Sequence, residues 1–99
     1  MFYSIGISYL YKLPSNIDFL EYLIVNDYGK DILIDKTYIE NFNSYLKSIN
    51  KQTYSYVTIR KNLSDLIDND FLLKVNRATY RVNINIITKK EHNETSNNF

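Results

Sequence analysis

Residues 55–83 read "SYVTIRKNLSDLIDNDFLLKVNRATYRVN" and hold two hydrophobic periods in succession. In the first part Ile59, Leu63, Leu66 and Ile67 recur at i, i+4, i+7 and i+8, which gathers them on one side of a helix. Ser55 stands ahead of this stripe as a cap whose oxygen accepts from a free helical amide, with Thr53 as an earlier alternative start. "DND" at 68–70 predicts the end of the helix, because carboxylates oppose the negative pole of its dipole. "FLLKV" and "TYRVN" then favour strands, and "NRA" between them predicts a β-hairpin. The side of the helix away from the stripe carries Tyr56, Arg60, Lys61 and Ser64.

Upstream, "DKTYIENFNSYLKSIN" (35–50) sets Ile39, Phe42, Leu46 and Ile49 at i, i+3, i+7 and i+10, a second amphipathic helix capped by Asp35. "NKQT" forms the turn between these helices. "SNIDFLEYLIVND" (15–27) is a first helix with Ser15 or Asn16 as cap, Asp18 and Glu21 in its opening turns, and a stripe of Ile17, Leu20, Leu23 and Ile24. "DILI" (31–34) is a short strand. "FYSIGISYLYKL" (2–13) alternates like a strand, although its end also fits a helical turn, and Pro14 closes it. "INII" (84–87) prolongs the second hairpin strand. The polar run from Thr88 predicts a disordered tail, leaving one domain over 1–87.

Composition narrows the possible chemistry. The chain has 99 residues, 44% hydrophobic and 23% charged, enough for one core. It has no cysteine, so disulfides, thiolate metal sites and reactive thiols are excluded. A single histidine, His92 in the polar tail, argues against zinc. Asp65 and Asp68 share a helix without a histidine partner, and two isolated glycines cannot build a phosphate loop. These features predict a protein that is not an enzyme and needs no cofactor, metal or small-molecule substrate. No secretory leader and no apolar run of about 18 residues is visible, which predicts a soluble, cytoplasmic protein with no membrane partner. The abundance of Ile, Asn, Lys and Tyr, with ten tyrosines against two glycines and one proline, also fits an AT-rich coding sequence.

Net charge is +1, but it is unevenly spread. Residues 1–50 hold four lysines against six carboxylates, a balance of −2, while 53–82 hold five cations against three aspartates, a balance of +2. The order helix, strand, helix, turn, helix, hairpin predicts an α+β winged helix, a three-helix helix-turn-helix core with a C-terminal two-stranded wing and a short N-terminal strand. In that architecture the last helix enters the DNA major groove and the hairpin touches backbone or minor groove. The candidate DNA-binding residues are Ser55, Tyr56, Thr58, Arg60, Lys61 and Ser64 on the helix (55–68), with Lys74, Arg77 and Arg81 on the wing (71–83). Four of them have a plainer reading: Ser55 as a cap, Arg60 and Lys61 as solvated surface, Arg77 as a blunted strand edge.

"SYVTIRKNLSDLIDNDFL" resembles the helix-turn-helix pattern of bacterial winged-helix regulators, with Ser55, Thr58, Ile59, Arg60, Lys61, Leu63, Leu66 and Phe71 in register. "TYRVN" resembles the Y-x-V-N-P ending of the RepL-type plasmid replication proteins, and "LPSNIDFLEYLI" resembles their proline-started first helix. Over residues 2–87 the resemblance implies a plasmid or phage replication initiator that binds double-stranded origin DNA. The chain departs from that pattern at Asp70, where a glycine is usual, at Ile84, where a proline is usual, and in its longer second helix and turn. Two other functions fit the same elements: a small transcriptional regulator, and a winged-helix protein-interaction module that binds no DNA. Homodimerisation through residues 2–13 would double the basic surface and suit two half-sites.

Overall fold

The computed structural model describes residues 3–89, and over them the chain is an α+β domain. Its elements are β1 (Tyr3–Ile5), a 3-10 helix (Ile7–Lys12), α1 (Asp18–Asp27), β2 (Ile32–Leu33), α2 (Lys36–Ser48), α3 (Tyr56–Asp68), β3 (Leu72–Asn76), β4 (Thr79–Val82) and β5 (Ile87–Lys89). All strand pairing is antiparallel, in two sheets ordered β2–β4–β3 and β1–β5.

The three α-helices form where the apolar periods predict them. Asp35 accepts the Tyr38 amide and Ser55 accepts the Thr58 amide, so α2 and α3 start at their expected caps. α1 begins differently: Ile17 occupies the cap position, and Asn16, one residue earlier, accepts the Asp18 amide at 2.9 Å. Both α2 and α3 end in the same device. Lys51 and Phe71 donate their amides back to Leu46 and Leu66, and the residues before them, Asn50 and Asp70, have φ of +60° and +69°. This is a Schellman closure in which Asn and Asp take the left-handed position that glycine usually fills. Asp70 therefore departs from the helix-turn-helix pattern in residue type while keeping the glycine's conformation.

The core lies between the helices and the inner face of the larger sheet. Leu23 and Ile24 of α1, Phe42 and Leu46 of α2, Ile59 and Leu66 of α3, and Val82 of β4 are fully buried in it. Phe19 and Phe42 meet edge to face at 5.0 Å, joining α1 to α2. Ile49, expected on the α2 stripe, lies past the helix end and is 44% exposed.

Three boundaries differ from expectation. The 2–13 segment divides: Tyr3–Ile5 is strand, and Ile7–Lys12 turns into the 3-10 helix. "INII" does not prolong β4, because Asn83 ends the ladder. Its amide donates to Phe71 O, its side-chain NH2 donates to Asp70 O, and its own carbonyl accepts from Ile86 and Ile87 in a tight turn. The chain then runs out as β5, pairing Ile87 with Ile5 and Lys89 with Tyr3. Thr88 and Lys89 are thus strand rather than the start of the tail. The rest of the predicted tail, 90–99, lies outside the described residues.

Candidate nucleic-acid interface

The turn that delivers α3 runs over 51–55 without regular secondary structure and is held by side chains. Asn43 of α2 bonds both backbone groups of Tyr54: its NH2 donates to Tyr54 O at 2.9 Å, and its carbonyl accepts Tyr54 N at 3.0 Å. The Tyr54 hydroxyl donates to Asp18 at 3.0 Å and accepts from Asn16, and Lys51 pairs with Asp18 at 3.0 Å. The longer turn is therefore a braced strut, and the start of α3 is fixed relative to α1 and α2.

Asp18 is one of three α1 carboxylates that each accept from a phenol. Glu21 accepts from Tyr3 at 2.7 Å and Asp27 from Tyr38 at 2.6 Å. Burial, reinforced by the hydrogen bond and the adjacent negative charge, pushes the Tyr3, Tyr38 and Tyr54 phenols above their ordinary value. Burial, with the charge of Asp27, does the same to Tyr22. The acidic character of the first half is thus spent largely on internal bonds.

α3 buries Ile59, Leu63 and Leu66 and exposes the opposite side. The structure brings four of the candidates together in two pairs. The Ser55 hydroxyl donates to Thr58 Oγ1 at 2.9 Å, and the Thr58 amide donates to Ser55 Oγ at 3.1 Å. The Arg60 guanidinium lies 5.7 Å from the Tyr56 ring centre, and its Nη1 donates to the Tyr56 hydroxyl at 3.3 Å. Lys61 and Ser64 are exposed beside them, and helical spacing puts Arg60, Lys61 and Ser64 on one strip. Lys61 forms no ion pair with the described residues.

The hairpin packs on α3 through β3 and is anchored twice more. β2 pairs Ile32 with Tyr80, and Ile34 N donates to Ala78 O at 3.0 Å, tying the tip to the start of α2. Val75 is left without a cross-strand partner between Lys74–Tyr80 and Asn76–Thr79, a bulge that increases local twist. Lys74 is exposed on β3 and Arg77 at the tip, and neither has an ion-pair partner among the described residues. Arg81 differs from them: its Nε and Nη2 both reach Asp31 Oδ1, at 2.7 and 2.6 Å. Its charge is committed to holding β4 to the segment before β2.

Two residues of consequence are absent from the sequence-based candidates. Val57 sits on the polar side of α3 and is 76% exposed; an apolar residue off the buried period was its available signal. Asn43 had no local signal, since its partner lies eleven residues away. An open cleft of about 460 Å³, lined by Asn16, Lys51, Thr53, Ser55 and Thr58 among others, borders the start of α3. Another of about 380 Å³ lies between α1 and the end of α2. Among the described residues no cluster of three or more His, Cys, Asp or Glu is arranged to hold a metal, and no helix is long and apolar enough to cross a membrane. Comparison with protein-family models, with curated proteins and with solved structures gave no match.

Proposed function

We propose that this chain is a cytoplasmic winged-helix protein that binds double-stranded DNA sequence-specifically, with α3 as recognition helix and the β3–β4 hairpin as wing. Its role in this reading is plasmid or phage replication initiation, by binding and without catalysis or cofactor. The observation that carries the reading is the charge layout of α3. Its exposed cations, Arg60 and Lys61, lie in the first half of the helix, its carboxylates Asp65 and Asp68 in the second, with no acid in the first turn and no base in the last. A helix dipole by itself favours the reverse. The layout suits an N-terminal half that meets phosphates and base edges while the other half stays outside the groove.

The strand order β2–β4–β3 supports the same reading, because it ties the hairpin to the helical core as a wing requires. In this assignment Tyr56, Thr58, Arg60, Lys61 and Ser64 face the groove, and Lys74 and Arg77 touch backbone. Ser55 and Arg81 act as frame, through the cap and the Asp31 pair. A second copy of the chain is the partner assigned to the 3-10 helix, where Ile7 and Tyr11 are 85% and 81% exposed. Two-fold pairing there would serve half-sites roughly 10 bp apart.

The test is fluorescence anisotropy of AT-rich and random duplexes across a salt series. The logarithm of affinity is expected to fall linearly with log salt. Arg60→Ala is expected to weaken specific binding by about 1–3 kcal/mol, and Lys61→Ala to lower the salt slope by about one. Binding that is absent or indifferent to salt eliminates the DNA reading in favour of a protein-interaction module. A transcriptional regulator would use the same interface; direct repeats beside the gene favour replication over it.

A further inference from the structure

We infer that Val57 is a specificity residue that reads the C5-methyl group of a thymine in the major groove. The inference rests on the DNA-binding reading above and names one feature of the sequence it recognises. Val57 is the second residue of α3, and Arg60, Lys61 and Ser64 follow it at i+3, i+4 and i+7. It therefore heads the exposed strip, opposite Ile59, Leu63 and Leu66. Side chains on a helix lean toward its N-terminus, so the two methyls project at the leading end of the strip. In helix-turn-helix docking, that end of the recognition helix meets the base edges.

The fold leaves Val57 76% exposed, and a β-branched residue is a poorer helix former than the neighbouring Arg60 and Lys61. Single exposed apolar residues are common. What distinguishes this one is its company: a strip whose other members are cationic or hydroxylated. The Arg60 guanidinium is drawn over the Tyr56 ring, at 5.7 Å, so Tyr56 and Arg60 form one unit beside Val57. Among unmodified bases only thymine carries a methyl group in the major groove; the other edges offer hydrogen-bond donors and acceptors, with cytosine adding only a small C5–H. A stiff isopropyl group, restricted at χ1, complements a methyl and no other edge group. The occupant is DNA by charge complementarity, with Arg60 and Lys61 alongside for phosphate or guanine acceptors.

The experiment selects duplexes from a random 20-bp pool with the wild-type protein. The preferred duplex is then resynthesised with each thymine replaced singly by deoxyuridine, which removes only the methyl. At one position the wild-type protein is expected to bind about fourfold more weakly, the equivalent of one buried methyl group. Val57→Ser is expected to bind the thymine duplex more weakly and to be indifferent to the same replacement, with unchanged circular dichroism. A 5-methylcytosine·guanine pair at that position distinguishes thymine from the methyl alone: partial recovery relative to unmodified cytosine shows that the methyl is the group read. If the selected duplex binds with salt dependence but no position is methyl-sensitive, or if Val57→Ser keeps the sensitivity, the inference falls and the DNA reading stands. If no duplex is selected or bound, both fall.

Discussion

α1 and α3 carry similar numbers of charges and use them in opposite ways. α1 has Asp18 and Glu21 in its first turn, where the dipole favours them, and each of its three carboxylates accepts a phenol. α3 has its acids at the unfavourable end and leaves Lys61 without an ion partner among the described residues. One helix holds the domain together through its polar groups; the other packs mainly through its apolar side, with Asn62 donating to Asn16 O at 3.4 Å, and presents the rest. A polar side chain that the fold consumes is poor evidence of a binding site, and one it leaves unused against local preference is better evidence. Arg60 and Arg81 repeat the lesson: equally basic in the sequence, among the described residues one is held by a neighbouring tyrosine and the other is bonded to Asp31, fifty residues away.

The largest expected effect breaks the α1 side of this contrast. Tyr3, Tyr38 and Tyr54 have phenols raised above their ordinary value of 10 in the folded state. A raised acid holds its proton more tightly when folded, so its stabilisation is complete below about pH 10 and is lost as pH climbs from there toward the folded value. Three phenols act together, and cooperative unfolding is expected on the alkaline side of pH 10. Ellipticity followed from pH 8 to 12 reads the midpoint. Tyr38→Phe, which cannot ionise, is expected to make the alkaline loss shallower while lowering stability at pH 7. An equally steep loss in that variant would remove Tyr38 from the account.

Next in size is the brace between the two helices. Asn43→Ala leaves Tyr54 N and O without their partners, and a cost of about 1–3 kcal/mol is expected in urea unfolding, water recovering part of it because Tyr54 is only half-buried. Because the brace also sets the start of α3, DNA affinity in the proposed function is expected to fall with it. Arg60→Ala, by contrast, is expected to lower that affinity without moving the urea midpoint. If Asn43→Ala leaves the midpoint in place, the turn is not the strut described here.

The elements of the fold were legible where a local period dictated them. The stripes of α2 (Ile49 apart) and α3, their caps and the hairpin follow from spacing and capping chemistry alone. The β1–β5 pair was not, because Tyr3 and Lys89 meet across nearly the whole chain and neither run is long enough to declare a partner. Asp70 was visible as an oddity, but only the backbone shows it in the conformation that a glycine would take. Among the candidate site residues, the strip on α3 was readable from the period. The commitment of Arg81 was not, since Asp31 stands fifty residues away. Asn83 belongs to both kinds: the motif "TYRVN" marked it, and its role as the clamp on the Asp70 carbonyl needed the third dimension.

The smallest expected effect sharpens the contrast from the α3 side. Asp68 occupies the last turn of α3, exposed and facing the negative pole of the helix. Asp68→Lys replaces an unfavourable charge with a favourable one and is expected to raise stability by about 0.3–1 kcal/mol at low salt, falling as salt screens the dipole. The urea midpoint should rise with an unchanged slope, since the surface exposed on unfolding is the same. α1 offers the control: Asp18 already lies in the favourable first turn and is bonded to Tyr54 and Lys51, so Asp18→Lys is expected to destabilise. Opposite signs for one chemical change on two helices would show that α3 tolerates a charge layout its own stability does not favour. Equal signs would mean that the dipole is irrelevant here, and the charge argument for α3 as the presented helix would lose its footing.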